Sequence, residues 1–156
     1  MTPDQLFSIA SNIPLPGWLL LLLVPRWKYT MPVVRGVCVV LLAAFYTYLI
    51  VAHFGDGEGG FGSLAQVAKL FEKRWALLAG WVHYLAFDLF IGAWMTEDAQ
   101  RRGLSHWFVV PCLPLTLMFG PCGLLLYLLL RLLASRSTRP AAPADVAAAS
   151  AAAAAA

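Results

Sequence analysis

Trp75-Ala76-Leu77-Leu78-Ala79-Gly80-Trp81-Val82-His83-Tyr84-Leu85-Ala86-Phe87-Asp88-Leu89-Phe90-Ile91-Gly92-Ala93-Trp94-Met95 is an unbroken apolar run that holds one histidine and one aspartate. Its length matches the roughly 20 residues that carry a helix across about 30 Å of hydrocarbon. An aspartate at the centre of such a helix costs about 2.5–3.5 kcal/mol to insert, so it must face something other than lipid.

Three further apolar runs flank this one, and together the four give spans of about residues 2–24, 33–54, 75–95 and 105–133. The chain of 156 residues is 61% hydrophobic and 12% charged, against about 25% charged in soluble domains. The spans leave no room for a soluble catalytic domain, and the apolar body is incompatible with disorder. A net charge of +3 gives no nucleic-acid footprint. The expected fold is all-α: a polytopic membrane protein with a four-transmembrane-helix bundle over residues 1–135 and an alanine- and proline-rich tail over 136–156. Ser63 caps a short amphipathic stretch, Leu64 to Arg74, expected to lie along the interface before the third span.

Punctuation is concentrated in two spans. Pro14 and Pro16 interrupt the first, since proline removes a backbone donor and kinks a helix. Pro111, Pro114 and Phe119-Gly120-Pro121-Cys122-Gly123 interrupt the fourth, while Gly55-Asp56-Gly57-Glu58-Gly59-Gly60 marks a turn after the second. Cys38, Cys112 and Cys122 lie in apolar runs and read as small hydrophobes. Four crossings would put six basic residues (Lys69, Lys73, Arg74, Arg131, Arg136, Arg139) on one side and five (Arg26, Lys28, Arg35, Arg101, Arg102) on the other. That balance gives the positive-inside rule nothing to act on.

Helical spacing places Trp81, Tyr84, Asp88, Gly92 and Met95 on one stripe, an aromatic seam with a carboxyl and a gap. His83 points about 140° away from Asp88 on a regular helix. The stripe reads either as the wall of a pocket for a long apolar molecule with a polar end group, or as scaffolding in which the carboxyl bonds a carbonyl freed by a kinked neighbour. Asn12, Tyr46 and Tyr48 are candidate pocket liners. Glu97 with Arg101 and Asp98 with Arg102 are four apart, forming salt bridges at a helix end or a polar clamp at a pocket mouth. No metal-ligand spacing occurs, and neither a metal nor a cofactor is expected.

Trp81-Val82-His83-Tyr84-Leu85-Ala86-Phe87-Asp88-Leu89-Phe90, followed by Asp98 and by Phe119-Gly120-Pro121-Cys122-Gly123, resembles the abscisic-acid-deficient-four-like family; so do Pro16-Gly17-Trp18 and Pro25-Arg26-Trp27. These are small four-helix membrane proteins of plastids, cyanobacteria and other bacteria, and the resemblance covers about residues 1–133. It implies a role in carotenoid (xanthophyll) metabolism, because the plant member is needed to make neoxanthin from violaxanthin. That isomerisation opens an epoxide and creates an allene without net redox change. It needs an acid at the epoxide oxygen and a base that removes a polyene proton. Asp88 and His83 are the candidates for these roles, assisted by Tyr84, with Trp81, Gly92, Asn12, Tyr46, Tyr48 and Asp98 around the ligand. The other reading is a non-catalytic pigment-binding or accessory subunit of a larger, photosynthetic membrane complex. A transporter has little support, since no inverted repeat is visible. The expected setting is a bacterial inner or photosynthetic membrane, with lipid, carotenoid and other complex subunits as partners.

Overall fold

The computed structural model describes residues 1–53 and 58–137, and among them the chain is helical throughout, without strands. The tail expected beyond Ser137 and the Gly55-Asp56-Gly57 part of the expected turn lie outside the described residues. Helix α1 (Pro3–Asn12) opens on a capping box: Gln5 N–H donates to Thr2 Oγ1 at 3.4 Å and Thr2 N–H to Gln5 Oε1 at 3.0 Å. Pro14 caps the start of α2 (Leu15–Leu23), which holds Pro16 in its first turn, and the two helices together make a 21-residue apolar rod. The next rod, Thr30–His53, joins α3 (Thr30–Val33), a π-helical stretch Val34–Val39 and α4 (Val40–His53). A short amphipathic helix, α5 (Leu64–Phe71), is capped by Ser63 Oγ, which accepts from Gln66 N–H at 3.2 Å.

Helix α6 (Arg74–Arg101) is the axis of the molecule, 28 residues or roughly 42 Å long at 1.5 Å per residue. The α1–α2 rod runs parallel to it. Arg74 pairs with Asp4 at one end, Trp81 Nε1 donates to Ser11 Oγ at 3.0 Å, and Gln100 Nε2 donates to Pro25 O at 2.8 Å at the other. The Thr30–His53 rod runs antiparallel, from an Arg35–Glu97 ion pair at 2.6 Å down to a His53–Trp75 ring stack at 4.0 Å. Half of the apolar window of α6 is buried, against 28% and 22% for the two outer rods. Apolar side chains that point away from the protein, such as Leu23, Val40 and Val51, suit a hydrocarbon surround rather than water.

Three helices are therefore long and apolar enough to cross a membrane, and they coincide with the first three expected spans. The expected fourth stretch, 105–133, is instead divided into α7 (Cys112–Phe119), entered through a 3₁₀ turn His106–Phe108, and α8 (Pro121–Ser137). The break is at Gly120, whose φ of +43° is open to glycine and costly for other residues. Pro121 then starts α8, where its missing N–H is harmless.

The two pieces fold back on each other. His106 Nε2 lies 3.1 Å from Leu22 O, near the Arg101 end of α6. Leu117 and Gly120 reach Tyr84 and Asp88 half-way along it, and Tyr127 and Arg131 return to Asp98 near the Arg101 end. The fold-back is close: a methyl group at Gly123 would lie 2.7 Å from the Cys112 carbonyl oxygen.

Candidate functional site

The Trp81–Met95 stripe is filled by protein. Trp81 packs between Phe7 and Tyr84, with ring centroids 5.4 and 5.5 Å away. Tyr84 donates to Leu117 O at 2.9 Å, and its phenol interacts with the carboxyl of Asp88, one turn on. Asp88 is 8% exposed and faces the hairpin apex, where a methyl at Gly120 would come within 3.0 Å of its Oδ1. Its Oδ2 is buried with no hydrogen-bond partner among the described residues. The gap expected at Gly92 holds the Trp18 ring, since a methyl there would lie 2.7 Å from Trp18 Cζ3. Met95 is fully buried in the core.

The space is on another face. A cavity of about 620 Å³ opens between α4, α5 and the first three turns of α6. Leu49 and Ala79 form its floor, Phe61, Leu70 and Phe71 its outer wall, and Lys73 and Arg74 its rim. Gly80 lets the wall close, because a methyl there would lie 2.6 Å from the Phe71 ring. His83 and Tyr46 both line it, their rings 5.5 Å apart, and Phe87 backs His83 at 4.5 Å. His53 and Trp75 stack along the same wall.

The structure thus unites His83 with Tyr46 and Asp88 with Tyr84, and separates the two pairs across α6. Asn12 is exposed and donates to Ser8 O at 2.7 Å, while Tyr48 is also exposed; neither lines the cavity. Asp98 accepts from Tyr127 at 2.6 Å, Arg102 at 2.9 Å and Arg131 at 3.2 Å, joining α6 to the hairpin. The two four-residue ion pairs are present, Glu97 with Arg101 and Asp98 with Arg102, both at 2.9 Å. Arg35, Tyr127 and Arg131 add to them from other helices, and no local spacing announces such long-range partners. Among the described residues no three His, Cys, Asp or Glu side chains converge as metal ligands would. Sequence reading passed over Phe61, Phe71, Trp75 and Gly80 as site residues; the amphipathic pattern of α5 was the available signal.

A long axial helix wrapped by apolar rods, a folded-back helical pair and an apolar cavity at the flank define an all-helical membrane protein. The chain belongs to the ABA DEFICIENT 4-like family, whose sequence profile matches residues 5–127. It is similar to the Arabidopsis thaliana protein "Protein ABA DEFICIENT 4, chloroplastic", at 22% identity over 130 residues. That match takes in 78% of this chain and 58% of the relative, so the chain spans little more than half the relative's length. No solved structure matches the chain.

Proposed function

We propose that this protein works in carotenoid metabolism by holding one end of a xanthophyll-type polyene in the cavity between α4, α5 and α6. The observation that carries the reading is the cavity. At about 620 Å³ it falls within the roughly 300–1,000 Å³ of small-molecule sites, and its walls are largely aliphatic and aromatic. Polar groups are few: His83, Tyr46 and His53 along the walls, Lys73 and Arg74 at the rim. An oxygenated end ring would meet those groups while the polyene lies against the lipid-facing side of the helices.

Family membership supports a neoxanthin synthase-like isomerisation as the chemistry. Such a step needs an acid and a base at one site. His83 and Tyr46 share the cavity, so they form a better-placed pair than His83 and Asp88, which lie on different faces of α6. The reading of a non-catalytic pigment-binding subunit, in a bacterial inner or photosynthetic membrane, rests on the same cavity.

The test is expression of the full chain in a carotenoid-producing bacterium, followed by purification and pigment chromatography. A polyene spectrum that travels with the protein and falls in Ala76→Phe, which fills the cavity, supports binding. A changed pigment profile that reverts in His83→Ala supports catalysis, and an unchanged profile with bound pigment leaves the subunit reading. Protein that carries no pigment and leaves the pigment profile unchanged overturns both.

A further inference from the structure

We propose that the hairpin of α7 and α8 enters the bilayer from the Arg101 end and leaves on the same side, and that this end is a basic, aromatic surface resting on anionic headgroups of the cytoplasmic leaflet. The chain then crosses three times, and its N- and C-terminal regions lie on opposite sides.

Depth comes first. Asp88 is 14 residues from Arg74 and 13 from Arg101 in α6, so the Gly120 apex beside it sits roughly 20 Å from either end. Both limbs then return to the Arg101 end, at His106 beside Leu22 and at Tyr127 and Arg131 beside Asp98. A chain reversal inside a bilayer is tolerated only where protein satisfies its backbone. Here Gly120 N–H donates to Thr116 O at 2.8 Å, and the Tyr84 hydroxyl donates to Leu117 O at 2.9 Å.

Charge follows from depth. With the hairpin folded back, the Arg101 end carries Arg26, Lys28, Arg35, Arg101, Arg102, Arg131 and, in the last turn of α8, Arg136 among the described residues. The Arg74 end carries Lys69, Lys73 and Arg74. Seven against three is a bias that four crossings erase, and the sequence continues past Ser137 with Arg139. The cytoplasmic side is the one that gathers Lys and Arg, and its anionic lipids attract them. Trp27, Tyr29 and Trp107 are exposed at the same end, where rings of this kind settle at headgroup level.

The experiment is topology mapping of the full chain in a bacterial inner membrane. Fluorescent-protein and alkaline-phosphatase reporters are placed at each terminus of the unaltered sequence. Expected is a fluorescent C-terminus and a phosphatase-active N-terminus. Both termini on one side overturn the re-entrant hairpin; opposite termini with the reverse orientation overturn the headgroup surface. In a second measurement, Thr2→Cys and Ser105→Cys are made in a C38A/C112A/C122A background and treated with an impermeant maleimide on intact cells. Thr2→Cys is expected to label at least tenfold faster than Ser105→Cys, and equal or inverted labelling counts against the proposal. Arg26→Gln with Lys28→Gln is expected to mix the orientations, and a fully retained orientation argues against a charge-set surface.

Discussion

The Tyr84 hydroxyl donates a hydrogen bond to the carbonyl oxygen of Leu117, 33 residues further along the chain, at 2.9 Å. The last carbonyls of a helix have no partner within it, and Leu117 is two residues from the end of α7. One phenol on α6 thereby supplies what the broken fourth stretch lacks. Tyr84→Phe keeps the ring and removes the donor, leaving a part-buried carbonyl unpaired. The expected cost is about 1–3 kcal/mol, read as a lower midpoint in thermal unfolding in detergent. Because Tyr84 is outside the cavity, bound pigment should be unchanged; an unchanged midpoint would mean the bond contributes nothing.

Gly120 and Gly123 should be far less tolerant than Gly36. Alanine at Gly120 is forced to a φ of +43° and meets Asp88 Oδ1, which costs about 1–2 kcal/mol from the backbone alone. Alanine at Gly123 pushes α8 off Thr116 and Cys112, an overpacking of about 1–3 kcal/mol. Nothing lies within 4 Å of a methyl at Gly36, so Gly36→Ala is the neutral control. Comparing the three midpoints checks the hairpin's close approach independently of topology.

Asp98 and Glu97 are neighbours in sequence but unequal in consequence. Asp98 is the acceptor for Tyr127, Arg102 and Arg131 and holds α8 to α6, whereas Glu97 pairs Arg35 and Arg101 nearer the surface. Asp98→Asn is expected to cost about 1.5–3 kcal/mol, the range for hydrogen bonds to a charged group. Glu97→Gln should cost about 1 kcal/mol or less, as pairs with partial access to solvent do. Denaturation of the two variants side by side decides it, and equal losses would contradict the role given to Asp98.

The first three rods were readable because a hydrocarbon-length apolar run has few other uses. The break at Gly120-Pro121 was also readable, but only as punctuation: a glycine and a proline say that a helix stops, not that the chain turns back. The direction is set by Tyr84, Asp88 and Asp98, residues 29 to 33 positions away from their partners in the hairpin. The same limit explains the seam. Aromatic, phenol, carboxyl and glycine at helical spacing suit a ligand wall and a helix-packing face equally well, and only the Trp18 ring over Gly92 decides between them. His83 was legible as a titratable group within an apolar span. That its cavity partner is Tyr46 rather than Asp88 depends on where α4 lies.

His83 and Asp88, the acid and base expected from the sequence, can be separated by what each substitution releases. His83 lines the cavity and Asp88 does not, so only His83 can touch a guest held there. His83→Leu and Ala76→Phe are expected to cut bound pigment on the order of tenfold, a change of about 1.4 kcal/mol in binding. Asp88→Asn should lower the unfolding midpoint, because it disturbs the hairpin apex, yet leave pigment stoichiometry intact once folded protein is isolated. Tyr46→Phe tests the pair within the cavity: it keeps the wall and removes the hydroxyl, so binding persists while any change in pigment profile is lost. If Asp88→Asn empties the protein of pigment and Ala76→Phe does not, the guest sits at the apex beside Gly120. The cavity between α4, α5 and α6 would then be only a gap under the short helix α5.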